Sequence, residues 1–128
     1  MARKKVSRPT DGELEILRVL WKRGPSTVRQ VHQALAPVKH TSYSTTLRLL
    51  QIMHAKGIVT RDESQRPQVY RSSLPEDQMQ QRLVSDFLRR AFGGSARKLV
   101  AALTAADISE EELTEIRRIL NELGEEHR

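Results

Sequence analysis

The 128-residue sequence predicts a mainly α protein with a small β-wing: a winged helix-turn-helix domain followed by a three-helix dimerisation domain. Three observations carry that expectation. Residues 41–57, TSYSTTLRLLQIMHAKG, have the spacing of a helix with one apolar and one polar face. A second short helical pattern precedes this stretch and a two-strand pattern follows it, the order expected of a major-groove reader with a wing. The charge is also split. Residues 1–74 hold 14 Lys/Arg against 5 Asp/Glu, a net +9, whereas residues 75–128 hold 8 against 11, a net −3. A basic lobe of that kind is an electrostatic footprint for a polyanion.

Residues 1–9 read as a basic arm, with Arg3, Lys4, Lys5 and Arg8 ahead of Pro9. Thr10 and Glu13 then have capping-box spacing, which starts a first helix running to about Arg23. Leu14, Leu17, Leu20 and Trp21 form its buried stripe, with Ile16 alongside, and Gly24-Pro25 stops it. A second helix starts at Ser26 or Thr27. It turns Val28, Val31 and Leu35 inward and Arg29, Gln30 and Gln33 outward, and Pro37 ends it. In the third helix Leu47, Leu50, Met53 and His54 follow the inward stripe. Ser44, Thr45, Arg48 and Gln51 recur at the same spacing on another face. Short hydroxyls allow close approach to phosphate, arginine matches the guanine edge bidentately, and glutamine matches adenine. A polar face on one helix is ordinary by itself; its place between a second helix and a hairpin gives it weight. Gly57 caps this helix, residues 58–61 and 69–74 read as strands, and residues 62–68 have turn composition. Arg61, Arg66 and Arg71 recur through that hairpin, where a wing touches the DNA backbone or minor groove.

From Pro75 onward the pattern changes. Met79, Leu83, Phe87 and Ala91 repeat every four residues, with Val84, Leu88 and Phe92 beside them, up to the break at Gly93-Gly94. A helix from Ser95 carries Leu99, Val100 and Leu103. Ser109 and Glu112 form a second capping-box pattern, and Leu113, Ile116, Leu120 and Leu123 give a heptad-like stripe flanked by Ile119. So short a segment hardly buries that much apolar surface alone. The expected arrangement is a two-fold homodimer with Met79, Leu83, Phe87, Leu99, Leu103, Leu113, Ile116 and Leu120 at its interface. The expected domains are therefore an arm (1–9), a winged helix (10–74) and a helical dimerisation domain (75–128).

Hydrophobic residues make up 38% and charged residues 30% of the chain. No apolar run approaches the roughly 20 residues of a membrane helix, so no membrane insertion is expected and the default location is cytoplasmic. The absence of cysteine removes disulfides, thiolate metal sites and cysteine nucleophiles. His32, His40, His54 and His127 include no closely spaced pair, so neither a metal nor a cofactor is expected. With no phosphate loop or nucleophile elbow in the sequence, an enzyme is not expected either. Two rival readings keep the same fold. One is a winged-helix protein-interaction module. The other is a regulator that senses a small molecule along the stripe from Met79 to Phe92.

Over residues 10–123 the ordered set of segments resembles the BlaI/MecI/CopY family of penicillinase-type repressors. The segments are TDGELEILRVLW, RGPSTVRQVHQAL, YSTTLRLLQIMHAKGIVTR, VYRSSL, AFGGSARKLV and DISEEELTEIRRIL. The resemblance implies a winged-helix domain, a C-terminal dimerisation domain and repression at palindromic operators in double-stranded DNA. It places the recognition helix on residues 44–56, with Ser44, Thr45, Thr46 and Arg48 nearest the bases. Thr46 stands where many members have valine, and Arg48 where many have threonine. Two departures concern the release mechanism. The β-lactam-responsive members are inactivated at an Asn-Phe bond through a membrane metalloprotease acting as sensor. The corresponding stretch here reads LVAALT, and its residues do not require cleavage between Ala102 and Leu103. The copper-responsive members carry a cysteine motif in the tail, which this chain lacks.

Overall fold

The structure, a computed structural model, describes residues 8–126. Arg3, Lys4 and Lys5 of the basic arm and His127 lie outside the described residues. The chain forms two compact units, Met1–Leu83 and Val84–Arg128.

The first unit begins with α1 (Asp11–Arg23), a two-residue strand β1 (Ser26–Thr27), α2 (Val28–Leu35) and α3 (Tyr43–Ala55). The hairpin β2 (Val59–Asp62) and β3 (Val69–Ser72) follows. Each helix starts where its capping residue dictates. Thr10 accepts the Glu13 N–H while the Glu13 carboxylate accepts the Thr10 N–H at 2.9 Å. Thr27 and Gln30 close a second capping box at α2, so Gln30 is a capping residue and not a free outward one. α1 ends at Gly24 and α3 runs into Gly57; their φ values of 90° and 82° suit glycine best. The sheet is antiparallel with strand order β1-β3-β2. β1, which sequence patterning does not reveal, pairs Ser26 with Tyr70 and Thr27 with Val69. Two residues are too short for a period-2 signal, and only the β3 edge makes them a strand. The core joins Ile16, Leu17 and Leu20 of α1 to Val28, Val31 and Leu35 of α2 and to Leu50 and Met53 of α3; Ile58, Val59 and Tyr70 belong to it as well.

Helix α4 (Glu76–Phe92) corrects the expected boundary at residue 74. Met79 is 2% exposed in the core of the first unit, and Leu83 packs on that core. Both therefore stabilise the winged-helix unit and are not free for a dimer face. The repeat of α4 is real, but its first two turns find an apolar partner within their own unit. This also takes Met79 out of the stripe offered as a small-molecule lining.

The second unit holds the rest of α4 with α5 (Ala96–Thr104) and α6 (Glu110–Glu126). Ser95 caps α5, accepting the Lys98 N–H at 3.1 Å, and Ser109 accepts the Glu112 N–H at 3.1 Å to open α6. No residue of α5 or α6 is fully buried. Leu99, Leu113 and Ile116 are half-buried, whereas Phe87, Leu103 and Leu120 are exposed, together with Val84, Ile119 and Leu123.

Candidate nucleic-acid interface

α3 is held from both ends. At its start, the Ser42 hydroxyl accepts the Thr45 N–H at 3.2 Å and lies 2.9 Å from the Thr45 hydroxyl. At its end, Lys56 follows the helix and its ammonium donates to Glu13 Oε1 at 2.7 Å. Glu13 is 1% exposed, and the same oxygen accepts the Thr10 N–H. One buried carboxylate thus closes the cap of α1 and anchors the far end of α3. The capping role of Glu13 is legible in sequence; its partner 43 residues away is not.

With both ends fixed, α3 presents Ser44, Thr45, Arg48 and Gln51 as exposed side chains on one side. Leu50 and Met53 are buried on the other. Thr46 departs from expectation. It is fully buried and its hydroxyl donates to the Ser42 carbonyl at 3.3 Å, so it supports the helix and does not reach bases. The reason lies in the spacing: 46, 50 and 53 share the inward stripe.

The wing supplies the neighbouring surface. Asp62 organises the turn, accepting from the Ser64 N–H at 3.0 Å, the Ser64 hydroxyl, and Gln65 Nε2 at 3.0 Å. These bonds, that from the Ser64 hydroxyl first, hold its carboxyl below the usual range. Arg66 and Arg71 are exposed. Arg61 differs: hydrogen bonding to Tyr70 and then to Glu63 holds its guanidinium more firmly protonated than usual, and Glu63 pairs with it at 2.6 Å. Its charge is largely answered inside the wing.

Between α3 and the wing lies a groove of about 380 Å³ bordered by Arg29, Tyr43, Gln51, Pro67 and Gln68. Arg29 and Tyr43 were not singled out by sequence as contact residues. Arg29 was legible only as an outward position on α2, and Tyr43 opens α3 half-exposed with its ring edge-on to His32 at 5.8 Å. The candidate interface therefore joins the exposed polar face of α3, a basic hairpin and a groove between them.

A helix-turn-helix with a β-hairpin in this arrangement defines the winged-helix class. The chain belongs to the penicillinase repressor family, whose model matches residues 9–122. It is 30% identical to the transcriptional regulator BlaI of Mycobacterium tuberculosis over 124 residues, covering 96% of this chain and 90% of that protein. The penicillinase repressor of Bacillus licheniformis is 28% identical over 120 residues, covering 93% of this chain and 94% of that one. Among solved structures, the monomeric form of B. licheniformis BlaI in complex with the blaP half-operator aligns with a TM-score of 0.50 at 27% identity. That alignment covers 59% of this chain and 92% of the other. A MarR family protein of Bacillus stearothermophilus aligns with the same TM-score at 22% identity and shares the fold. Among the described residues, no helix is long and apolar enough to cross a membrane.

Proposed function

We propose that this protein is a homodimeric, cytoplasmic transcriptional repressor that binds a palindromic operator and is not an enzyme. The observation that carries the reading is the exposed face of Ser44, Thr45, Arg48 and Gln51 on a helix clamped at both ends, in a chain of the penicillinase repressor family. Arg48 and Gln51 read base edges in the major groove, and Ser44 and Thr45 approach phosphate at the helix start. Arg29, Arg66 and Arg71 hold the backbone, with the basic arm as a further contact. A relative solved on its half-operator supports DNA as the partner. The apolar side chains left open on α4, α5 and α6 support dimerisation of the second unit through Phe87, Leu99, Leu103, Leu113, Ile116 and Leu120. Repression follows from occupying the promoter, and release from loosening the dimer, by a signal and a route (proteolysis by a sensor protease or a ligand) that the residues leave open.

The test is a salt series of binding to the DNA upstream of the protein's own gene, against random DNA of equal length. Three backbone arginines per protomer, doubled in a dimer, predict a slope of log K against log salt of about −5. The expected footprint has two symmetric half-sites centred about 10 base pairs apart or a multiple of that. Weak binding that is equal on both DNAs and insensitive to salt would replace this reading with a protein-interaction module.

A further inference from the structure

The first unit carries a second cavity that the DNA interface does not use. It has a volume of about 650 Å³ and lies between α1 and the C-terminal end of α2. Its lining contains no residue of α3 or of the wing. The apolar floor is Val19, Ala34, Leu35 and Val38, and Val38 is left 82% exposed at the rim. Arg18, Lys22 and Arg23 stand around that floor and form no ion pair among the described residues. The acid on the same wall, Glu15, is already paired with Lys39 at 3.2 Å. The volume falls within the range of small-ligand pockets. Lys22 and Arg23 suit the negative end of α1 without any ligand, but Arg18 sits mid-helix and gains nothing from that field.

We propose that this cavity binds a small organic anion: a carboxylate or sulfonate carrying one apolar ring or short chain. The apolar part covers Val19, Ala34 and Val38, and the acid group meets Arg18 and Lys22. Guanidinium and ammonium donors suit a carboxylate by charge and by hydrogen bonding. Leu35 is both a wall of this cavity and a member of the core under α3. Its carbonyl also accepts the N–H of Val38 at 3.0 Å and of Lys39 at 2.8 Å, closing the connection that leads to α3. A ligand seated here bears on the joint between α2 and the recognition helix from outside the DNA surface, so anion and DNA bind together.

The experiment is a titration of the full-length protein with naphthalene-2-carboxylate, read by amide chemical shifts. Saturable shifts confined to residues 14–23 and 34–39 are expected. The uncharged carboxamide of the same ring should bind about tenfold more weakly, and the Arg18→Gln/Lys22→Gln variant should lose a similar factor with its spectrum otherwise unchanged. Equal affinity for carboxylate and carboxamide would overturn the proposal, as would shifts centred on α4 to α6 or no saturable shift up to the solubility limit. Loss of anion binding on adding DNA would refute the separate location while leaving operator binding intact.

Discussion

Replacing Lys56 with methionine tests the clamp that fixes α3. The substitution keeps most of the side-chain length and removes the ammonium that sits 2.7 Å from Glu13 Oε1. The Glu13 carboxyl is then left without its cation, with its side chain 2% exposed. Breaking a fully buried pair by removing one partner costs about 3–5 kcal/mol, because the other charge is left unanswered. Two features reduce that figure. The Lys56 side chain is 27% exposed, so water enters the space it vacates, and the Thr10 N–H still donates to the same oxygen. A cost of about 2–3 kcal/mol results. Trp21 is the only tryptophan and packs against the core of the first unit, so its fluorescence reports on that unit during urea unfolding at fixed protomer concentration. The midpoint should fall with the slope unchanged. Adding Glu13→Gln to Lys56→Met removes the stranded charge and should recover at least half of the loss. A Lys56→Met protein within about 0.5 kcal/mol of the parent would show an ordinary surface pair and refute the reasoning. A double variant no better than the single one would refute it equally.

Arg48→Ala should weaken operator binding by about 1–3 kcal/mol and relax one base position; equal losses on operator and random DNA would reduce Arg48 to a phosphate contact. Thr46→Val should leave operator affinity within about twofold by fluorescence anisotropy, since only a buried 3.3 Å bond to the Ser42 carbonyl is lost; a tenfold drop would return Thr46 to the base-reading set. Leu120→Asp, at a side chain 47% exposed in the single chain, should yield monomers in sedimentation, because dimerisation would bury an unpaired charge. An unchanged dimer mass would remove α6 from the interface. Hydrogen bonds from Ser64 and then Gln65 hold the Asp62 carboxyl below the usual carboxylate range, so its support of the wing turn is complete above that range and is lost as pH falls through the lower folded value. Protection of the Ser64 amide against exchange, taken relative to its intrinsic rate at each pH, should fall in acid in the parent and be low at every pH in Asp62→Ala; identical protection profiles would show that Asp62 does not hold the turn.

Much of this fold is written locally. The capping box at Thr10, the Gly24-Pro25 stop and the helical stripes of the first unit need only neighbours three or four residues away, and appear where the periodicity puts them; the box that Thr27 forms with Gln30 obeys the same local rule. The failures share one cause: periodicity assigns a face but not the partner that covers it. The repeat from Met79 to Phe92 is a single pattern in sequence, yet Met79 and Leu83 are taken up by the core of the first unit while Phe87 is exposed. β1 exists only because Tyr70 and Val69 lie beside it. The Glu13–Lys56 pair joins positions that no local rule connects. Thr46 is the opposite case: its spacing to Leu50 and Met53 already marks it as inward, so expecting it at the bases set a family position above the geometry of the helix.

The net +9 of residues 1–74 overstates the charge available to DNA. Three of the acids in that segment each occupy one cation: Glu13 holds Lys56, Glu15 holds Lys39 and Glu63 holds Arg61. Among the described residues up to 74, the cations that form no ion pair fall into two groups. Arg29 borders the groove, Arg48 lies on the recognition face, and Arg66 is on the wing with exposed Arg71 nearby. Arg18, Lys22 and Arg23 surround the cavity on α1. Only the first group shares a surface with Ser44, Thr45 and Gln51. Charge density on the recognition side is therefore modest, and non-specific DNA binding should be correspondingly weak, since that term scales with the number of phosphates neutralised. In the proposed function, discrimination then falls to Arg48 and Gln51 at the base edges and to doubling of the site in a dimer.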